Sequence, residues 1–170
     1  MQRIIKTYIA YLLMGDIMKI DFKKLLISIG IPLTVGLVSG LISMPFMDFD
    51  QLVNPPLSPP GWLFPIVWTI LYILMGISFY IIWESKDSSS DNAYLIYFLQ
   101  LFVNFFWSIF FFVFKLRLFS IFWLILLISL IILMIIKFYS INKTSGLLQI
   151  PYLLWCLFAT YLNVGIYLLN

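Results

Sequence analysis

The spacing of charged residues limits the fold of this chain more than any other feature. Asp, Glu, Lys and Arg leave five long stretches free of ionised side chains: Leu25–Met47, Gln51–Trp83, Asn92–Phe114, Leu118–Ile136 and Thr144–Asn170, of 23, 33, 23, 19 and 27 residues. A helix of about 20 apolar residues crosses the roughly 30 Å hydrocarbon layer of a bilayer. The second stretch opens on prolines, which places its helix from about Pro59 to Trp83. With 64% of its residues hydrophobic and 10% charged, the chain lacks the polar surface of a soluble domain, which is about half apolar and about a quarter charged. The short segments of alternating polarity that mark a spanning barrel are absent. The sequence therefore predicts an all-α integral membrane protein, a single-domain bundle of five transmembrane helices with the lipid bilayer as its first partner.

Lys and Arg gather where the positive-inside rule keeps them in the cytoplasm. Arg3, Lys6, Lys19, Lys23, Lys24, Lys86, Lys137 and Lys143 fall on one side, and only Lys115 and Arg117 on the other. The expected topology has the N-terminus inside and the C-terminus outside. Residues 1–24 read as an N-terminal extension ahead of a transmembrane domain at 25–170. Asp16 interrupts the first apolar run and no small-residue cleavage site follows, so it makes a poor signal peptide. Met18-Lys-Ile-Asp-Phe-Lys-Lys reads as a more natural start than Met1.

Several chemistries are excluded by residue type. There is no histidine, which removes His-ligated haem, His–metal sites and imidazole catalysis. No metal cluster is expected. Cys156 is the one cysteine and forms no internal disulfide. The net charge of +3 is scattered over segment ends, so no nucleic-acid partner is expected. No ionisable residue falls within a predicted span, which argues against proton- or sodium-driven transport and against acid–base catalysis at mid-membrane.

Six of the eight prolines lie in Pro45–Pro65. Proline fixes φ and donates no N–H, so this connection is stiff and extended. Ser58-Pro59 reads as an N-cap followed by proline at the first helical position. The segment is long for a helix–helix connection and is expected to act as a lid; a rigid connector is the plainer reading of the same residues. Pro32 and Pro151 are expected to kink spans one and five. Gly36-Leu-Val-Ser-Gly40 permits close helix contact, within the chain or between two copies. Trp62, Trp83 and Trp123 sit near predicted span ends, as belt anchors do.

Three helical stripes carry the remaining chemistry. Span two places Trp68, Tyr72 and Phe79 along one face beside Gly76. Span three carries Gln100, Asn104 and Ser108 at i, i+4, i+8, with Trp107 and Phe111 adjacent. Span five aligns Tyr152, Trp155, Ala159 and Asn163. Residues three and four apart are neighbours on a helix, and polar side chains in a membrane helix turn toward the bundle interior. Counted from the predicted span ends, Trp68, Asn104 and Ala159 all lie about 14–15 Å from one side at 1.5 Å per residue. Aromatic walls with a few polar groups compose a ligand pocket. They equally compose a packed core with interhelical hydrogen bonds, and spacing alone leaves both readings open.

Three segments carry a resemblance. They are Pro59-Pro-Gly-Trp-Leu-Phe-Pro-Ile-Val-Trp-Thr-Ile-Leu-Tyr-Ile-Leu-Met-Gly76, Asn104-Phe-Phe-Trp-Ser108 and Pro151-Tyr-Leu-Leu-Trp-Cys-Leu-Phe-Ala-Thr-Tyr-Leu-Asn163. In order and spacing they resemble the TspO/MBR family, the tryptophan-rich sensory proteins of bacteria and the mitochondrial translocator (peripheral benzodiazepine receptor) proteins. The likeness runs from about Lys24 to Asn170. It implies a five-helix bundle, here in a bacterial cell membrane, with a pocket beneath the first loop. It also implies a receptor or sensor that binds porphyrins or other tetrapyrroles and needs no obligatory cofactor. Light- and oxygen-dependent porphyrin breakdown, with Trp68 and Trp155 as the catalytic candidates, is one alternative; passive transport of a tetrapyrrole or another lipophile is another. By motif position the ligand-binding residues are Trp68, Tyr72, Asn104, Trp107, Ser108, Trp155 and Ala159. A homodimer is implied as well.

The chain departs from the family pattern at several positions. Asp48-Phe49 and Leu57 stand where the first loop of the family commonly has Trp-Tyr and Trp, and Trp123 stands where span four often has aspartate. No Lys or Arg follows Lys143, so the C-terminal cholesterol motif of animal members is missing.

Overall fold

A computed structural model describes residues 20–48, 51–85, 87 and 90–170. The expected extension at 1–24 lies almost wholly outside the described residues, as do Phe49, Asp50 and Lys86. Among the described residues, five helices are long and apolar enough to cross a membrane. We label them α1 (Phe22–Ser43), α2 (Leu63–Ser85), α3 (Ser90–Ser108), α4 (Arg117–Ile141) and α5 (Ile150–Leu169). A 3₁₀ turn, Met44–Phe46, ends α1, a π-helical turn, Ile109–Val113, ends α3, and a one-turn helix, Lys143–Leu147, precedes α5.

Helix α1 at its start and α4 at both ends run past their charge-free stretches, because terminal Lys and Arg side chains snorkel to the interface. Asp21 caps α1 by accepting from the Lys24 amide at 3.2 Å, so the helix starts before Leu25 with Lys23 and Lys24 in its first turn. Helix α2 instead starts later than Pro59. Ser58 does not cap it; its hydroxyl donates to the Pro55 carbonyl at 2.8 Å in a turn. A residue before proline is driven away from helical ψ, so no helix forms through Ser58 and Pro59 and α2 begins at Leu63. Pro151 does not kink span five. It lies in the first turn of α5, where its missing N–H is one that the helix leaves unused. Pro32 does lie inside α1.

The five spans close a ring in the order α1–α2–α5–α4–α3. The α1–α2 contact is the tightest because two glycines remove side chains from it. A Cβ on Gly76 would run into the backbone of Ser28 and Ile29, and one on Gly36 would fall within the Tyr72 ring. Thus Gly36 serves contact within the chain, while Gly40 faces open space. At the end of the bundle away from the proline-rich loop, Lys24 pairs with Glu84 at 2.6 Å, its ammonium 5.7 Å from the Trp83 ring centroid.

Polar side chains stitch the other seams. Ser39 and Ser43 of α1 hydrogen-bond to Ser108 of α3. Ser120 of α4 donates to Asn163 of α5 at 2.9 Å. Ser78 of α2 and Ser145, just before α5, each donate to the other's carbonyl at 2.8 Å. Trp123 is no belt anchor: its indole N–H donates to the Val103 carbonyl at 2.7 Å and its ring packs edge-on to Phe110, joining α4 to α3. The core runs through Met75, Ile82, Tyr97, Leu127, Ile131, Met134, Phe138 and Cys156, all fully buried. Leu37, Leu41, Ile70, Phe102, Phe122 and Leu154 point outward, a surface suited to lipid tails rather than water.

Candidate functional site

The site forms where α2, α3 and α5 face each other. Tyr72 donates its hydroxyl to Asn104 Oδ1 at 2.8 Å. The Asn104 amide nitrogen donates to the Tyr152 oxygen at 2.9 Å, and Tyr152 donates to Gln100 Oε1 at 3.0 Å. This chain of bonds has one direction, and it crosses three helices within the apolar interior. Asn104 can serve both tyrosines because an amide carries an acceptor and a donor side by side. The Gln100 Nε2 at the end of the chain is fully buried without a partner.

Aromatic rings cover this polar line. Trp68 stacks on Tyr72 with centroids 5.5 Å apart, lies 6.3 Å from Trp107, and meets Tyr152 edge-on at 6.2 Å. Trp107 in turn stacks on Phe111 at 5.9 Å. The π turn at Ile109–Val113 follows directly; such turns widen a helix by one residue, and here Phe111 and Phe112 are both buried. The indole nitrogens of Trp107 and Trp155 are buried with no hydrogen-bond partner.

Of the residues singled out from sequence, Trp68, Tyr72, Asn104 and Trp107 come together in this cluster. Ser108 is one turn from Asn104 but turns to α1. Ala159 is buried on α5. Trp155 stands apart from Trp107 and Trp68; its ring neighbours are Phe64 at 5.8 Å and Phe158 at 5.6 Å. Gln100 and Tyr152 share the predicted stripes yet were absent from the expected ligand set, and the structure makes them half of the polar line. Their signal was their place at i−4 from Asn104 and i−3 from Trp155.

Above the cluster, residues 45–48 and 51–62 form a strap. Asp48 pairs with Lys115 at 2.9 Å and with Arg117 at 4.0 Å, tying the strap to the α3–α4 turn. Its far part lies on α5: Val53 N–H donates to Asn170 Oδ1 at 2.9 Å, and Asn170 Nδ2 donates back to the Val53 carbonyl at 3.1 Å. Tyr161 donates to the Pro56 carbonyl at 2.7 Å. Pro55 is buried against Gly165, where any Cβ would collide with its ring. Leu57, at a position where the family commonly has tryptophan, is exposed and held at φ 67°, a left-handed conformation that costs an L-residue about 1–2 kcal/mol.

Fold and site together define a five-span helical membrane protein with an aromatic, hydrogen-bonded centre beneath a latched loop. Residues 28–169 match the TspO/MBR family, and the chain belongs to it. It is 39% identical over 149 residues to the tryptophan-rich protein TspO of Archaeoglobus fulgidus, covering 86% of this chain and 97% of that one. The tryptophan-rich protein TspO of Chlorobaculum tepidum is 35% identical over 150 residues, 86% of this chain and 95% of its own. A translocator protein from Bos taurus is 29% identical over 121 residues, 69% of this chain and 72% of its own.

Proposed function

We propose that this protein is a membrane receptor or sensor that holds a porphyrin or another tetrapyrrole between α2, α3 and α5, beneath the strap. The observation that carries the reading is the packing of Trp68 and Trp107 over the Tyr72–Asn104–Tyr152 line. A flat macrocycle would exchange these ring–ring contacts for ring–macrocycle contacts, each worth about 0.5–1.5 kcal/mol beyond area burial. Its polar edge would take the unpaired donors, Gln100 Nε2 and the indole N–H groups of Trp107 and Trp155. Apolar walls with a few convergent polar groups are the ordinary make-up of a ligand site.

Titration of the purified protein with protoporphyrin IX, read by quenching of intrinsic tryptophan fluorescence, tests this. Saturable quenching that weakens in Trp68→Phe and Trp155→Phe is expected. Linear, unsaturating quenching in all three proteins would overturn the reading, because it reports partition into detergent.

In the same reading the strap faces the outside. Lys23, Lys24, Lys137 and Lys143 lie at the opposite end of the bundle, against Lys115 and Arg117 at the strap end, and the positive-inside rule sets orientation by that difference. Native Cys156 is buried, so an added Ser140→Cys should be labelled by an impermeant maleimide only from the inner side. Two copies would pair in the membrane, with the outward face of α1, the least buried span, as the contact. Cross-linking at Leu37→Cys is expected to trap the pair.

A further inference from the structure

The α2–α5 seam differs from the other four. Each of those is closed by a glycine contact or a direct side-chain hydrogen bond: Gly76 on Ser28, Ser39 with Ser108, Trp123 with Val103, Ser120 with Asn163. Between α2 and α5 the contacts are ring edges, Phe64 on Trp155 and Trp68 on Tyr152, and the polar link runs indirectly through Asn104 of α3. The seam is pinned at both ends, by the Ser78–Ser145 pair at one and by the strap at the other. In between, a groove of about 410 Å³ opens on the lipid side, within the size range of small-molecule sites.

Ile70, Leu74 and Leu154 rim this groove, Val67 and Leu71 form one wall, and Trp155 stands in the other. The lining is apolar; the Trp155 ring stands in it, with its indole N–H buried just behind the surface and unpartnered. The groove adjoins the central cluster: Val67, Leu71 and Trp155, which line it, pack into the same core as Trp68, Tyr72 and Tyr152. At the strap end a second groove, of about 680 Å³, lies on the α4–α5 side against Lys115, Arg117, Tyr167 and Asn170. It is polar-rimmed, and between it and the cluster Pro55 sits on Gly165 while Asn170 and Tyr161 hold Val53 and Pro56.

We propose that the α2–α5 seam is a lateral doorway: a flat, apolar ligand dissolved in the bilayer core docks in this groove, takes the Trp155 N–H as its one polar contact, and passes between α2 and α5 to the aromatic cluster. The inference rests on the functional reading above and adds the route and the phase from which the ligand comes. A lipophile concentrated in the hydrocarbon layer reaches such a groove without crossing water. Trp155, rather than the strap, is the threshold.

A doorway has a kinetic signature that a binding contact lacks. Narrowing it slows arrival and departure equally and leaves the equilibrium unchanged, whereas damage to a contact acts mainly on departure. The test uses the full chain in lipid nanodiscs, mixed in stopped flow with protoporphyrin IX carried in protein-free vesicles. The double variant Ile70→Phe, Leu154→Phe fills the groove from its lipid-exposed rim. Association and dissociation rates are expected to fall together by about tenfold or more, with Kd within about twofold of the parent. Ile70→Ala with Leu154→Ala should raise both rates, and serves equally if the Phe variant does not fold. Unchanged rates in these variants, with faster binding when Tyr161→Phe and Asn170→Ala loosen the strap, would place access at the strap and overturn the doorway alone. Absence of saturable binding in the parent would overturn the functional reading and the doorway with it.

Discussion

The Tyr72 hydroxyl donates to Asn104 Oδ1 at 2.8 Å, joining α2 to α3 where both residues are buried. The same amide donates to Tyr152, so one side chain organises three helices. Interhelical hydrogen bonds in membranes contribute about 0.6–2 kcal/mol each. Asn104→Leu should therefore lower stability by about 1–3 kcal/mol, since it removes two bonds and strands the Tyr72 hydroxyl, while Tyr152 keeps Gln100. Tyr72→Phe should cost less, about 0.6 kcal/mol. Unfolding in detergent mixtures measures both; a Leu variant as stable as the parent would show that the polar line does not hold the helices.

The glycines of α1 and α2 divide by what they face. A Cβ on Gly76 would strike α1 backbone, and one on Gly40 would meet nothing within 4 Å. Gly76→Val forces two helix backbones apart and should cost about 1–3 kcal/mol or more, as overpacking does. Gly40→Ala should be neutral or slightly stabilising through helix propensity. Equal effects at the two positions would refute the α1–α2 packing.

Asn170 holds the strap by both atoms of its amide. Asn170→Ala removes the acceptor of the Val53 amide, so exchange of that amide with solvent should quicken by about tenfold or more as local opening becomes easier. Asp48→Asn should loosen the other end of the strap without changing the Val53 amide. Slow exchange at Val53 in Asn170→Ala would mean that Pro55 on Gly165 suffices to hold the strap.

Trp123 bonds the Val103 carbonyl through its indole N–H. Trp123→Phe keeps one aromatic ring but loses the donor and part of the indole's packing, and should destabilise by about 0.6–2 kcal/mol or more. A residue that only anchored the chain at the interface would show no change in unfolding when substituted this way.

Five spans were legible from the positions of charged residues because excluding an ionised group from hydrocarbon depends on the residue itself and not on its neighbours. Periodicity likewise placed Trp68 with Tyr72, and Asn104 with Trp107, on interior-facing stripes, since a helix fixes which residues share a face. It did not decide what each face meets. Asn104 and Ser108 are one turn apart, yet the first bonds across to α2 and α5 and the second to α1. Asn163 shares a stripe with Trp155 but bonds to α4, while Trp155 turns to Phe64 and the lipid-side groove. Those partners follow from the ring order α1–α2–α5–α4–α3. That order depends on contacts between segments distant in the chain, such as Gly76 against Ser28 and Asn170 against Val53. The residue types determined which segments enter the membrane and which faces turn inward; only the packing of whole helices decided which inward faces meet.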